Sequence, residues 1–177
     1  MQTNSLRNKI ILIGFMGTGK SAVADGLASE LQLHKYDIDV EIVKHAGQEI
    51  SEIFAQAGEE AFRNIETEVL NERLSSPEAS IIATGGGAVL KQSNRESMLE
   101  HGFVIHLIAS SDVIISRVKH DTGRPLLQGD VTARVHQLMA TRAGAYDFAH
   151  YSIDTSNLTL PEVVNKIVEA WKQANLT

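Results

Sequence analysis

Residues 9–21 read Lys-Ile-Ile-Leu-Ile-Gly-Phe-Met-Gly-Thr-Gly-Lys-Ser, and this stretch decides the class of fold. Its apolar start predicts a buried strand, and residues 14–21 match the phosphate-loop pattern G-x-x-x-x-G-K-S/T at every specified position. An amphipathic helix is predicted directly afterwards, at 21–33. The glycines let backbone N–H groups converge on phosphate oxygens, and the start of the helix adds favourable partial charge. A glycine-rich turn that binds nothing is the alternative, but the full pattern in this context favours ATP or GTP binding.

Beyond this loop, short apolar runs alternate with segments of helical period, which is typical of a mostly parallel α/β sheet. Strands are predicted at 9–15, 35–38, 80–84, 104–109 and 152–154, and further helices at 50–57, 59–74, 111–119, 131–145 and 161–174. Gly58 separates two of these helices. Since no repeat or linker divides the 177 residues, we expect one domain over 1–177.

The composition excludes several classes of function. Sixteen Lys and Arg against 22 Asp and Glu give a formal net charge of −6, which argues against general nucleic-acid binding. The chain has no cysteine, so disulfides, thiol nucleophiles and cysteine–zinc sites are excluded. The longest apolar run, at 10–13, is far too short for a bilayer, and no signal segment precedes it. We therefore expect a cytoplasmic protein without nucleic-acid or membrane partners.

Two acidic residues follow the second predicted strand. Asp37 and Asp39 are spaced i and i+2, which places both carboxylates on one face of a strand at the ligand-binding edge of a parallel sheet. One acid beside Mg²⁺ and one beside an incoming hydroxyl would suit phosphoryl transfer, whereas a solvated acidic loop is the alternative. The third strand ends in three glycines at 85–87 and not in an acid, so Asp37 is the acid available to the metal.

Three more features remain ambiguous when each is taken alone. Arg63 and Glu66 share a helix face at i and i+3, a spacing typical of a surface ion pair. The polar segment at 119–129 contains Arg124 and predicts a mobile lid. Asp112, Asp121 and Asp130 flank predicted helix ends, where we interpret them as caps.

Together these motifs resemble the shikimate kinase family. That family carries a phosphate loop, a D-x-D after the second strand, an I-x-E-I-F…G-E-x-x-F-R-x-x-E stretch, a G-G-G and an R-P-L-L lid. Here the same motifs occur in that order between about residue 9 and residue 155. The resemblance implies a three-layer P-loop kinase fold with a five-stranded parallel sheet in the order 2-3-1-4-5. It also implies transfer of the γ-phosphate of ATP to the 3-hydroxyl of shikimate.

The resemblance assigns a role to each matching residue. The catalytic residues would be Lys20, Asp39 and Arg124, with Asp39 contacting the reacting hydroxyl as base or orienting acceptor. ATP would be bound by Gly17, Thr18, Gly19, Lys20, Ser21, Ala22, Arg117 and Arg124, with Arg117 against the adenine. Shikimate would be bound by Asp39, Arg63, Gly86, Gly87, Arg142, Phe54, Phe62 and Glu66. Mg²⁺, the implied cofactor, would be held by Ser21 and Asp37.

The chain departs from the family at its second substrate arginine. The usual R-x-P-L-Y stands here as Arg142-Ala143-Gly144-Ala145-Tyr146, and the following alanine comes one residue early, at position 149. Arg142 keeps its spacing to Tyr146, so it keeps its assignment.

Two alternative functions compete with this interpretation. Another small P-loop kinase, for gluconate or a nucleoside monophosphate, would not need the Asp37 and Asp39 pair together with Arg63 and the three glycines. A non-catalytic ATP-binding module would be expected to lack a catalytic group, and none is missing here. We therefore expect a monomeric enzyme whose partners are ATP and shikimate.

Overall fold

The strand β1 (Lys9–Ile13) lies at the centre of a five-stranded parallel sheet, and all five of its residues are buried. The other strands are β2 (His34–Asp37), β3 (Ser80–Ala83), β4 (Phe103–Ile108) and β5 (Tyr151–Asp154). Their order is β2-β3-β1-β4-β5, which confirms the predicted topology, and each strand begins and ends within two residues of its predicted limits. The structure is a computed structural model that describes residues 8–121 and 123–176.

Within these ranges seven α-helices complete the fold: α1 (Lys20–Leu31), α2 (Ile38–Ala46), α3 (Ile50–Ser75), α4 (Gln92–His101), α5 (Ser111–Val118), α6 (Val131–Thr141) and α7 (Leu160–Ala174). Successive side chains of a strand point to opposite faces, so Ile10 and Leu12 belong to a core with α1 and α7. Ile11 and Ile13 belong to a second core with α2, α3 and α4. The result is the predicted three-layer arrangement.

A third apolar cluster lies where the sheet meets α5 and α6. It contains Phe15 and Met16 of the phosphate loop, together with Ile114, Leu127 and Val135. Leu127 belongs to a short 3₁₀ turn, Pro125–Leu127, inside the predicted lid. The end of that segment is therefore packed against the phosphate loop.

Several local predictions need correction. Helices α2 and α4 were not predicted, and α6 ends at Thr141 rather than at 145. The predicted helices at 50–57 and 59–74 form one kinked element, because only Gly58, at φ 82° and ψ 176°, leaves the helical conformation. The predicted lid at 119–129 includes residue 122, which lies outside the described residues. In the part of the chain that the structure describes, no helix is long and apolar enough to cross a membrane.

Candidate active site

The phosphate loop joins the central strand β1 to α1. Gly17 and Gly19 have φ angles of 77° and 95°, which residues with a Cβ rarely adopt. Lys20, the first residue of α1, is buried, and its Nζ donates to the carbonyl oxygens of Gly14 (2.8 Å) and Phe15 (2.9 Å). Burial lowers the pKa of Lys20 to about 8, although the nearby Asp39 carboxylate opposes that shift. The loop thus holds an ammonium group on its own backbone, within reach of an incoming anion.

A cavity of about 190 Å³, which we call the loop cavity, opens over this turn. It is lined by Met16, Gly17, Gly19, Lys20, Ser21, Ala22, Asp37, Asp39, Thr84, Gly85, Gly86 and Arg124. Most of the residues predicted to bind phosphates and metal therefore share one cavity.

Asp37 links the phosphate loop to α2. Its Oδ2 accepts from the Ser21 hydroxyl at 2.9 Å, and its Oδ1 caps α2 by accepting from the Asp39 backbone N–H at 3.0 Å. Asp39 consequently lies in the first turn of a helix, and the expectation that both acids share a strand face is wrong. The helix cap nevertheless brings them together, since a local hydrogen bond turns the chain at Asp37.

Asp39 is exposed to the space of the cavity but is surrounded by protein on the other sides. This partial desolvation and the Asp37 carboxylate raise the pKa of Asp39, while Lys20, Arg124 and Arg63 oppose the rise. Asp39 is thus a carboxyl group whose proton affinity is above that of an ordinary aspartate.

A second cavity, of about 250 Å³, lies beside the first, and we call it the arginine cavity. It is lined by Met16, Asp39, Ile50, Phe54, Phe62, Arg63, Glu66, Gly85, Gly86, Gly87, Asp121, Gly123, Arg124, Pro125, Leu126 and Arg142. Met16, Asp39, Gly85, Gly86 and Arg124 line both cavities. A phosphoryl group in one cavity would therefore meet an acceptor in the other at Asp39 and Arg124.

Arg63 and Glu66 form a buried pair in this cavity and not the surface pair that their spacing alone suggests. Arg63 Nη1 donates to Glu66 Oε2 at 2.7 Å, and Nη2 donates to Glu59 Oε1 at 3.3 Å. Glu66 is fully buried, and this burial raises its pKa although Arg63 opposes the shift.

Three buried polar atoms of this cavity have no hydrogen-bond partner among the described residues: Arg63 Nε, Glu66 Oε1 and Arg142 Nη1. A buried polar group without a partner costs about 1–3 kcal/mol, so it usually marks a ligand contact or a bound water. Two guanidinium N–H groups and one carboxylate oxygen are therefore free for a ligand that carries both an anionic group and a hydroxyl.

The three glycines at 85–87 allow charged groups to approach the backbone. A Cβ on Gly87 would overlap the Arg63 guanidinium, and one on Gly85 would lie 2.8 Å from Glu66 Oε1. A Cβ on Gly86 would lie 3.1 Å from the Met16 backbone nitrogen. A side chain at any of the three positions would therefore crowd Glu66, Arg63 or the phosphate-loop backbone and displace groups of the cavity.

Aromatic rings form the remaining wall of the arginine cavity. The Phe54 and Phe62 ring centroids are 4.8 Å apart, and Arg63 Cζ lies 5.0 Å from the Phe62 centroid. This wall offers an apolar face to a ring-shaped ligand opposite the polar groups.

Comparison with known proteins agrees with this geometry. The family model of shikimate kinase matches residues 16–172. A shikimate kinase of Desulforudis audaxviator is 44% identical over 95% of this chain and 88% of its own length. One of Pelotomaculum thermopropionicum is 41% identical over 94% of this chain and 96% of its own. The chain belongs to the shikimate kinase family.

Solved structures agree with this family membership. Shikimate kinase from Acinetobacter baumannii in complex with shikimate superimposes with a TM-score of 0.90, at 36% identity over 96% of this chain and 95% of that chain. A gluconokinase from Sinorhizobium meliloti has a TM-score of 0.66 at 19% identity, which shows a shared fold alone. The chain is an ATP-dependent kinase, as predicted.

Arg117 of this kinase lies beside the phosphate loop, where its Nη1 donates to the Gly17 carbonyl oxygen at 2.8 Å. With Thr155, Leu158 and Leu160 it lines a cavity of about 410 Å³ that continues outward from the loop. Sequence reasoning missed these three residues because the segment after β5 carries no motif.

Sequence reasoning also missed Asp121. Its Oδ2 accepts from Arg124 Nε at 2.6 Å, so Asp121 pairs with the arginine of the predicted lid. The prediction that Asp121 caps a helix is wrong. Asp130 does cap α6, where its side chain accepts from Ala133 N. The spacing of Asp121 to Arg124, i and i+3, was the available signal.

Proposed function

We propose that this kinase transfers the γ-phosphate of ATP to the 3-hydroxyl of shikimate, giving shikimate 3-phosphate and ADP. The observation that carries the proposal is the set of three unpartnered buried atoms, on Arg63, Glu66 and Arg142, in a cavity that adjoins the phosphate loop. Shikimate is a small ring with one carboxylate and several hydroxyls, which matches two arginines, one acid and an aromatic wall. The presence of shikimate in the similar A. baumannii enzyme supports the same acceptor.

Lys20, Ser21 and the loop residues Gly17, Thr18 and Gly19 would bind the phosphates of ATP, with Ala22 at the start of α1 beside them. Thr18 keeps the loop in shape, because its hydroxyl donates to the Phe15 carbonyl oxygen at 2.8 Å. Arg117 would lie against the adenine in the adjoining cavity. At neutral pH Lys20 remains mostly protonated, with a pKa of about 8, and can exchange its backbone acceptors for phosphate oxygens.

Ser21 and Asp37 would hold Mg²⁺. A hydroxyl and a carboxylate lie 2.9 Å apart here, and oxygen ligands of this kind, completed by phosphates and water, are what Mg²⁺ prefers. When bound, the ion would neutralise part of the charge on the β- and γ-phosphates.

The acceptor would lie between the two arginines and the phenylalanine wall. Arg63 and Arg142 would pair with its carboxylate, and the backbone N–H groups of Gly86 and Gly87 would donate to it. Glu66 Oε1 would accept from a hydroxyl. Phe54 and Phe62 would pack on the ring, which excludes water from one face.

Asp39 would accept the proton of the reacting hydroxyl, or orient that hydroxyl, as the bond from its oxygen to phosphorus forms. Its raised pKa favours proton uptake. Arg124 would leave Asp121 and pair with the transferring phosphoryl group when the lid at 119–129 closes over the rest of the single domain, 1–177.

A coupled assay of ADP release tests this proposal, with shikimate, gluconate, AMP and CMP as acceptors. We expect turnover that depends on shikimate and only background release with the other three compounds. Faster release with gluconate or a nucleotide would contradict the proposed acceptor. Release that no acceptor stimulates would point to a nucleotide-binding module.

The oligomeric state and location stay predictions. We propose a monomer, and sedimentation equilibrium would check this. Use of ATP as substrate fits the predicted cytoplasmic location.

A further inference from the structure

Tyr146 makes a contact that no part of the proposed reaction uses. Its hydroxyl donates to the carbonyl oxygen of Gly86 at 2.7 Å, although the two residues are 60 positions apart. The side chain is buried, and this burial raises the pKa of Tyr146, although Arg142 opposes the shift, so the phenol keeps its proton at neutral pH. Tyr146 therefore ties the glycine turn at 85–87 to the segment that follows α6.

The ring of Tyr146 is itself fixed by the sheet. It stacks on the His106 ring, with centroids 4.8 Å apart and an interplanar angle of 15°. His106 belongs to β4 and is paired in register with Ile13, the last residue before the phosphate loop. The hydroxyl is thus held at a defined distance from the loop.

The bond to Gly86 fixes the direction of a neighbouring donor. In a planar trans peptide the carbonyl oxygen and the following N–H point in opposite directions, so fixing the Gly86 oxygen also fixes the N–H of Gly87. Within the described residues, neither the Gly86 nor the Gly87 N–H donates to a protein acceptor. Both glycines line the arginine cavity.

Tyr146 also follows Arg142 by four residues in the same run of turns, in which Ala145 N donates to the Arg142 carbonyl oxygen at 3.0 Å. A Cβ on Gly86 would lie 3.5 Å from Arg142 Nη1, so the arginine and the glycine turn are close neighbours. One tyrosine therefore connects two groups that face the same ligand.

We propose that Tyr146 is a positioning residue for the acceptor: it orients the Gly87 N–H and holds it in a fixed position relative to the Arg142 side chain. This inference rests on the proposed function. Tyr146 lines neither the arginine cavity nor the loop cavity and acts through the glycine turn beside the acceptor, so its effect should fall on the acceptor and not on ATP.

The test is Tyr146→Phe, which keeps the ring and its stacking but removes the donor. We expect the KM for shikimate to rise about tenfold, because the Gly86–Gly87 peptide is then free to turn and the Gly87 N–H loses its fixed direction toward the acceptor, with the KM for ATP unchanged. Hydrogen exchange at the 85–87 amides should become faster, while exchange in β1 stays as in the wild type. Tyr151→Phe is the matched control, since Tyr151 is half-buried at the start of β5 and should leave both KM values unchanged.

Three results would overturn the inference: an unchanged KM for shikimate, unchanged exchange at 85–87, or a parallel rise of both KM values with a lowered melting temperature. The last would show a merely structural role. Failure of the proposed function would appear separately, as wild-type enzyme that does not turn over shikimate at all.

Discussion

Arg142→Ala should weaken binding of the acceptor while leaving the stability of the ligand-free protein nearly unchanged. The Arg142 side chain is buried, its Nη1 has no partner among the described residues, and its Cζ lies 5.6 Å from the Phe15 ring centroid. Alanine removes a buried N–H that lacks an acceptor, a gain of about 1–3 kcal/mol, but loses the packing and the cation–π contact with Phe15. These terms oppose each other, so the melting temperature of the ligand-free protein should change little.

Binding of shikimate should weaken strongly. Removal of one partner of a buried charge pair costs about 2–5 kcal/mol. Arg63 remains in place and the cavity opens to solvent, so the lower half of that range applies. A loss of about 2–3 kcal/mol corresponds to a rise of about 30–150-fold in the KM for shikimate.

Arg63→Ala should behave differently, because it leaves Glu66 buried without its partner at 2.7 Å. Breaking a buried pair costs about 3–5 kcal/mol of stability. Since the pKa of Glu66 is already raised in the folded protein, its ionisation destabilises the fold as pH rises through that pKa. The melting temperature of Arg63→Ala should therefore fall more at pH 8 than at pH 5, and Glu66→Gln should restore part of the loss.

Steady-state kinetics and thermal melts of both variants supply the measurement. Arg134→Ala is the control, since Arg134 is an exposed arginine of α6 that pairs only with Gln137 among the described residues. Wild-type KM for shikimate in Arg142→Ala, or an equal rise in the KM for ATP, would refute the assignment of Arg142 to the acceptor.

Three further predictions concern the reaction and the lid. Lys20→Ala should abolish turnover, because no other residue supplies that charge at the β- and γ-phosphates, and near-normal kcat would refute its role. The melting temperature should change little, since the variant loses the bonds to two loop carbonyls but also removes a buried ammonium whose pKa burial lowers to about 8. Asp39→Asn should lower kcat more than shikimate affinity. It should also raise the melting temperature at pH 7, because ionisation of a carboxyl with a raised pKa destabilises the fold. This gain in stability should vanish below pH 3.8, the ordinary pKa of an aspartate. A variant with full kcat would show that Asp39 has no part in the reaction. Hydrogen exchange at 119–129 should be faster than in α1 and should slow with ATP and shikimate; slow exchange that ligands do not change would contradict a lid.

Most of the fold follows from local patterns. Strands β1, β3 and β4 were predictable because each is a short, mainly apolar run next to a turn, and β1 passes directly into a complete phosphate-loop motif. The edge strands β2 and β5 are half polar, with the sequences His-Lys-Tyr-Asp and Tyr-Ser-Ile-Asp, so their local signal is weaker. The helix α2 was missed because one residue both ends β2 and caps the helix, through the bond from Asp39 N to Asp37. The helix α4 was missed because it buries only Asn94 and Met98, too few residues to make an apolar stripe.

In the candidate site, too, some features could be predicted from local motifs and others could not. Residues within motifs, such as Lys20 and Arg63, could be predicted because their spacing along the chain is enough to name them. The contact between Tyr146 and Gly86 could not be predicted, since only the folded sheet brings residues 60 positions apart together. The unpartnered atoms of the arginine cavity likewise depend on burial, which no local pattern shows.

The position of the phosphate on the product tests the central claim most directly. If the carboxylate is held by Arg63 and Arg142 while Asp39 meets the reacting oxygen, only one hydroxyl of the ring can reach the phosphate loop. Phosphorus–proton NMR of the product should show phosphate on the 3-hydroxyl of shikimate, in a one-to-one ratio with ADP. Phosphate on another hydroxyl, or free inorganic phosphate as the main product, would contradict this account.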